Sequence, residues 1–394
     1  MRRLYFFVFL SAIAMADDTS LKELLHTASN HFTSNFFPEV VKANPGKSVV
    51  VSAYSVMTPL ALLGLASVGP SHDELLTAIG LPNDNATKSV FSYADSKLKS
   101  IKGVELKAAN KIYIPLDYEL NPEFAAVSRD VFNSEVKNVD FMKNVEAAKE
   151  INDWVEDQTN HRIKDLVDPD NIDGNTRAIL VNALYFKGTW ITPFVKSKTE
   201  ERDFHIAKDK TVKVSMMNNK ADYNYGESER LQSKILEMNY DGGESSLMIV
   251  LPNEIDGIND LLEKLRDISV LDEEAKNMYD IEVEVSIPKF KIETTTDLKE
   301  ILQKLNIKRL FNAGEAKLDR LLKATEDLYV STATQKAFIE VNEEGAEAAA
   351  ANEFGIAYLS ALVPARQYSF IADHPFLFLL KERDNILFSG IYYA

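Results

Sequence analysis

The sequence predicts an α+β fold built as one domain. Three observations carry this reading. Helical patterning comes first along the chain, and strand-like runs follow without the alternation that βαβ units require. No Pro/Gly/Ser-rich linker and no internal repeat divides the 394 residues. At 45% hydrophobic and 26% charged, the chain can bury a large core.

The elements follow in order. Residues 21–37 place Leu24, Leu25, Ala28, Phe32 and Phe36 at helical spacing, and Pro38 predicts the end of that helix. Residues 48–53 form a short β-branched run, and residues 57–68 are nearly all apolar, as in a helix buried on most sides. Ser71-His72-Asp73-Glu74 reads as a capping box opening a helix through Ile79, with His72 as a first-turn polar residue. Residues 145–158 are helical. Residues 178–186, 212–217, 246–251 and 281–290 read as strands, 298–305 as a helix, and 337–341 and 376–380 as strands again.

The N-terminus predicts export. Arg2 and Arg3 precede an apolar run at residues 4–13, and Ala14-Met15-Ala16 supplies a small-x-small cleavage pattern. Residues 1–16 therefore read as a signal peptide, with the mature protein starting at Asp17; the competing reading is a buried N-terminal helix. The apolar run is too short to span a bilayer. Asn85-Ala86-Thr87 is a glycosylation sequon, and Asn83-Asp84-Asn85 reads as an exposed turn.

Composition excludes several chemistries. A formal net charge of −16 disfavours nucleic acid and anionic membrane as partners. With no cysteine there are no thiol nucleophiles, disulfides or thiolate-bound metals, and six scattered histidines suggest no metal site. No nucleophile elbow, zinc-protease motif, phosphate loop or dinucleotide fingerprint occurs, so no enzyme and no cofactor is expected. Lys97, Lys99, Lys102 and Lys107 are the densest basic stretch, but Asp95 and Glu105 dilute it as a polyanion site.

One segment resists a bland reading. Glu343, Glu344, Gly345, Ala346, Glu347, Ala348, Ala349, Ala350 and Ala351 have helix-forming composition but no apolar stripe to dock a helix. They are either an exposed helix or linker, or a segment kept small to enter tight packing. The stretch from Val341 through Ala350 resembles the hinge of a serpin's reactive-centre loop. Phe370-Ile371-Ala372-Asp373-His374-Pro375-Phe376-Leu377-Phe378 resembles the signature that follows it. Four further blocks match in family order: Ser52-Ala53-Tyr54-Ser55, residues 181–190, Ile287-Pro288-Lys289-Phe290 and Leu387-Phe388-Ser389-Gly390. The similarity covers nearly the whole mature chain and is nearest to secreted insect haemolymph serpins of the antichymotrypsin type.

This resemblance implies three β-sheets, about nine helices and an exposed loop over about residues 343–366. It implies suicide inhibition of an extracellular serine protease by a monomer, with a non-inhibitory binding or carrier protein as the alternative. Ser52, Ser55 and Asn182 match the family's shutter, where Gln335 stands in a position usually held by histidine. Trp190 matches the breach, and Lys289 and Glu343 match an ion pair there. Counting fourteen residues from Ala346 places the reactive bond between Leu359 and Ser360, implying a chymotrypsin-like or elastase-like target; Tyr358 and Arg366 are the rival positions. Ala346, Ala348 and Ala350, followed by Asn352, Phe354 and Ile356, fall on the face that would be buried after insertion.

Overall fold

The computed structural model describes residues 2–324, 326–344 and 367–394, with side chains from Asp18 onward. Among these are nine α-helices: α1 (Arg2–Ala43), α2 (Ala53–Ala66), α3 (Pro70–Ala78), α4 (Asp84–Leu98), α5 (Pro122–Phe132), α6 (Asn144–Gln158), α7 (Ile258–Lys264), α8 (Val270–Ala275) and α9 (Leu298–Lys304). The strands in chain order are β1 (Val49–Val51), β2 (Val104–Pro115), β3 (Glu135–Val139), β4 (Ile179–Gly188), β5 (Glu200–Ala207), β6 (Lys210–Ser228) and β7 (Ser233–Asn239). They continue through β8 (Ser245–Pro252), β9 (Tyr279–Pro288), β10 (Phe290–Asp297), β11 (Thr332–Val341), β12 (Tyr368–Ile371), β13 (Phe376–Glu382) and β14 (Asn385–Tyr392).

Two hydrogen-bonded assemblies result. One is a five-stranded sheet in the order β10-β11-β4-β2-β3. The other joins β1-β14-β13-β8-β7 to β5, β6, β9 and β12 through the long strand β6. β6 pairs with β5 and β9 along its length and with β7 at its end, so the two smaller of three expected sheets share one strand. The fold is α+β and single-domain.

The apolar pattern explains the layers. α2 runs between the two assemblies and contacts β2, β4 and β14, so nearly its whole surface is buried. α6 lies on the opposite face of the five-stranded sheet, where Ile151 and Val155 pack with Val181, Ala183 and Tyr185. β4 is therefore covered on both sides and is buried along nearly its whole length, whereas β10 and β11 alternate.

Several local expectations change in the folded chain. Pro38 does not end α1, which continues to Ala43 because Phe36, Phe37 and Val40 are all buried and hold its axis past the missing amide. The capping box does not form: α3 starts at Pro70 with Gly69 rather than Ser71 as its N-cap, two residues early, and Glu74 instead accepts the amides of Lys308 and Arg309. The strand expected over residues 281–290 divides at Lys289 into β9 and β10, which belong to different assemblies. Asn83 is no free turn residue but the N-cap of α4.

Burial makes a direct prediction. Leu63→Ala in α2, at a side chain with no exposed surface, should lower stability by about 2–5 kcal/mol in urea unfolding. Leu116→Ala, at a residue 65% exposed, should change it by less than about 0.5 kcal/mol. Equal effects would refute this assignment of the core.

Candidate functional site

The site is the line along which β4 and β11 meet. These strands are parallel neighbours, paired from Thr332 opposite Ile179 to Glu340 opposite Lys187. Both are flanked by antiparallel partners, β10 beside β11 and β2 beside β4. No strand lies between them over this length, so the sheet is closed here.

Midway along the line, alternation turns Gln335 and Asn182 inward, directly opposite each other. Asn110 on β2 continues the row on the far side of Asn182. Gln335 Nε2 donates to Asn182 Oδ1 at 2.5 Å, and Asn182 Nδ2 donates in turn to Asn110 Oδ1. This amide row crosses three strands. It is anchored to the start of α2: Gln335 Nε2 also donates to the Ser52 carbonyl at 2.9 Å, and Gln335 Oε1 accepts the Ser52 amide at 3.2 Å. Asn182 Nδ2 reaches the Ser55 carbonyl at 3.0 Å and its hydroxyl at 2.7 Å. Ser52 Oγ accepts the Ser55 amide and caps α2.

Ser52, Ser55, Asn182 and Gln335 are thus one buried cluster. The sequence separates them by up to 283 residues. A histidine offers one donor and one acceptor on opposite sides of its ring when neutral; the glutamine amide uses two donors and an acceptor here, and it carries no charge at any ordinary pH. Asn110 was not anticipated. Its only sequence signal is a lone asparagine facing inward in a β-run.

At the C-terminal ends of the two strands, a second cluster holds the chain leaving β11. Trp190 Nε1 donates to the Asn342 carbonyl at 2.7 Å, and the Trp190 amide donates to the Glu344 carbonyl at 3.1 Å. Trp190 stacks on Tyr240 with centroids 4.2 Å apart, and Tyr240 fills the space beside Gly188, where a Cβ would sit 2.3 Å from its ring. Lys289 Nζ lies 2.8 Å from Glu343 Oε2, Thr199 donates to Glu343 Oε1 at 2.9 Å, and Lys187 pairs with Glu344 at 2.6 Å.

The electrostatics follow from this geometry. Burial disfavours the Glu343 carboxylate, but hydrogen bonds from Lys289, a backbone amide and Thr199 outweigh it and hold its pKa below the ordinary 4.5. The hydrogen bond from Lys187 is the main cause of the same lowering at Glu344. The Glu343 side chain is only 4% exposed, so losing Lys289 would leave a nearly buried charge.

The remaining expected residues lie elsewhere or beyond description. Gly345, Ala346, Glu347, Ala348, Ala349, Ala350, Ala351, Leu359 and Ser360, with the rivals Tyr358 and Arg366, fall outside the described residues. Lys97 pairs with Asp18 and lies over the Tyr93 ring, while Lys99 pairs with Asp95, so these two cations are partly spent locally. Among the described residues no His/Asp/Glu group is placed to hold a metal ion, and no helix is long and apolar enough to cross a membrane.

The comparison with known families decides the identity. The serpin (serine protease inhibitor) family model matches residues 27–394. The chain belongs to the serpin family. This serpin is 56% identical over 381 residues to alaserpin of Manduca sexta, covering 97% of this chain and 96% of that one. It is 52% identical over 375 residues to antichymotrypsin-2 of Bombyx mori, covering 95% and 99% respectively. Among solved structures, Serpin48 of Tenebrio molitor superposes with a TM-score of 0.84 at 35% identity, covering 94% of this chain and 98% of that one.

Two predictions arise from the clusters. Gln335→Ala strands the Ser52 amide and Asn182 Oδ1, while the Ser52 carbonyl keeps the Val56 amide; at about 1–3 kcal/mol for an orphaned group, a total loss of about 2–5 kcal/mol is expected in urea unfolding. A loss under about 1 kcal/mol would mean the row is not held by its amide bonds.

The second concerns pH. Because the folded pKa of Glu343 is depressed, its contribution is complete above about 4.5 and is lost as pH falls through the folded value. The melting temperature of Glu343→Gln should lie below wild type at pH 7, and the gap should narrow below pH 4. A gap independent of pH would show that the ionised form is not what stabilises the site.

Proposed function

We propose that this serpin is a secreted, monomeric suicide inhibitor of a chymotrypsin-like or elastase-like serine protease. Residues 1–16 are removed as a signal peptide, and residues 343–366 form the bait loop. The observation that carries the reading is the direct parallel pairing of β4 and β11, closed on its inner face by the Gln335–Asn182 bond.

The chemistry starts in the protease. Its serine attacks the Leu359 carbonyl, Ser360 leaves as a free amine, and an ester joins Leu359 to the enzyme. The freed strand then enters between β4 and β11. Running back from the end of β11, it is antiparallel to both neighbours, so one parallel interface is exchanged for two antiparallel ones, each slightly more stable per residue. Serpin loop insertion is a known case of stored strain released in this way. About fourteen residues at roughly 3.3 Å each carry the protease tens of ångströms, far enough to distort its oxyanion hole before water cleaves the ester.

The hinge composition supports the same reading. Ala346, Ala348 and Ala350 would enter the buried face without clash, whereas a charge there would cost several kcal/mol. Ser52, Ser55, Asn182 and Gln335 would act as the shutter. Trp190 and the Lys289–Glu343 pair would hold the upper end closed until cleavage. Leu359 suits an apolar primary pocket; of two relatives at 52% identity one is named antichymotrypsin-2 and the other antitrypsin, so the class rests on Leu359 itself. Arg366 lies seven residues further on, where slack would leave the protease undistorted.

The test is incubation of the mature protein with chymotrypsin, elastase and trypsin. An SDS-resistant complex with one of the first two is expected, together with a released fragment beginning at Ser360. A fragment beginning at Gln367 would overturn the target class. Cleavage without complex, joined to thermal stabilisation by a small apolar ligand, would replace inhibition by a carrier role. Ala348→Glu should turn the inhibitor into a substrate, cleaved with little complex formed; complexes at wild-type stoichiometry would displace the hinge from this position.

A further inference from the structure

The sequon Asn85-Ala86-Thr87 occupies the first turn of α4 rather than a loop. Asn83 is the N-cap, its Oδ1 accepting the Ala86 amide at 2.9 Å, and Asp84 is tied to His72 at 2.6 Å and to Arg320 at 3.0 Å. Asn85 is exposed. Thr87 is fully buried, and its hydroxyl donates to the Asn83 carbonyl at 2.9 Å. The two reactive halves of the motif therefore face opposite ways, the amide to solvent and the hydroxyl into the fold.

We propose that Asn85 carries an N-linked oligosaccharide, added before α4 forms, whose first sugars lie along the outer face of that helix. The proposal rests on the export reading above. An N-glycan transferase takes amide and hydroxyl of the sequon together, and the folded helix withholds the hydroxyl. The unfolded segment supplies both. In the transfer, Asn85 Nδ2 attacks C1 of the first sugar of a lipid-pyrophosphate-linked oligosaccharide. The N–C1 bond forms, the C1–O bond breaks with its electron pair leaving on the pyrophosphate, and Nδ2 gives up one proton.

Once α4 closes, the sugar has a defined surface to follow. Asn85, Ser89, Ser92 and Ser96 share one face of the helix at i, i+4, i+7 and i+11. That face borders a groove of about 420 Å³ against Asp18 and Leu21 of α1, lined on the α4 side by Lys88, Ser89, Ser92, Tyr93 and Ser96. Serine hydroxyls and the Lys88 ammonium offer donors to sugar oxygens, and the Tyr93 ring offers a stacking surface.

The full chain, expressed in insect cells with its own leader and in parallel with a foreign cleavable leader, tests this. Mass spectrometry of the exported protein should place an oligosaccharide on Asn85, absent from a folded Asn85→Gln variant. Export with the foreign leader only would refute the export reading alone; exported protein with unmodified Asn85 would refute the glycan. Chain folded first in bacteria and then given the transferase with its lipid donor should stay unmodified; full modification would overturn the timing. Acetylation of Lys88 by acetic anhydride should be several-fold slower in the glycosylated protein than in Asn85→Gln, and equal rates would overturn the placement.

Discussion

The structure turns on one interface: β4 and β11 are parallel where antiparallel partners flank them on both outer sides. A parallel ladder is slightly weaker per residue than an antiparallel one, and of the two parallel pairings in this sheet, β2 with β3 lies at the edge and β4 with β11 lies inside it. Every notable polar contact at the site acts on this line. The amide row crosses it in the middle, and the Trp190 and Lys289–Glu343 contacts hold the chain at its end. A sheet of the same strands in another order would have no such line.

The two clusters work by different physics. The amide row is neutral and buried, so its bonds are strengthened by a low local dielectric and cannot be titrated away near neutral pH. Its anchor is the start of α2, the helix threaded through the core, so the row ties both strands to a helix that is buried along nearly its whole length. The upper cluster is ionic and partly wet, with only one of the two partners nearly buried: Glu343 is enclosed and Lys289 is half-exposed. Charge pairing there holds the chain only while both groups are ionised. The pair is therefore a more conditional restraint than the amides.

Covering on both faces makes β4 core on each side. β4 is sandwiched between the main core and α6, and its odd and even residues serve different clusters. Its even face supplies Asn182, a polar side chain with no exposed surface among apolar neighbours. β11 alternates strictly, which keeps Gln335 on the inner face and leaves Lys336 on the other, where its ammonium reaches Glu293.

The sequence by itself determined the class of fold, the long periodic elements and the family, because those depend on hydrophobic spacing and on contiguous motifs. It also named Ser52, Ser55, Asn182, Gln335, Trp190, Lys289 and Glu343, through resemblance rather than spacing. It missed α4, although Val90, Phe91 and Ala94 carry a helical pattern behind Asn83, and it missed β2, whose first half is too polar and exposed to read as a strand. Pro38 and the Ser71–Glu74 motif misled for a common reason: local signals state what a free segment prefers, and burial of Phe36, Phe37 and Val40 or capture of Glu74 by a distant loop overrides them. Only the tertiary structure decided that β4 and β11 pair directly, that Asn110 completes the amide row and that Thr87 turns inward. Each of these is a relation between elements brought together by packing or register, and no local pattern encodes it.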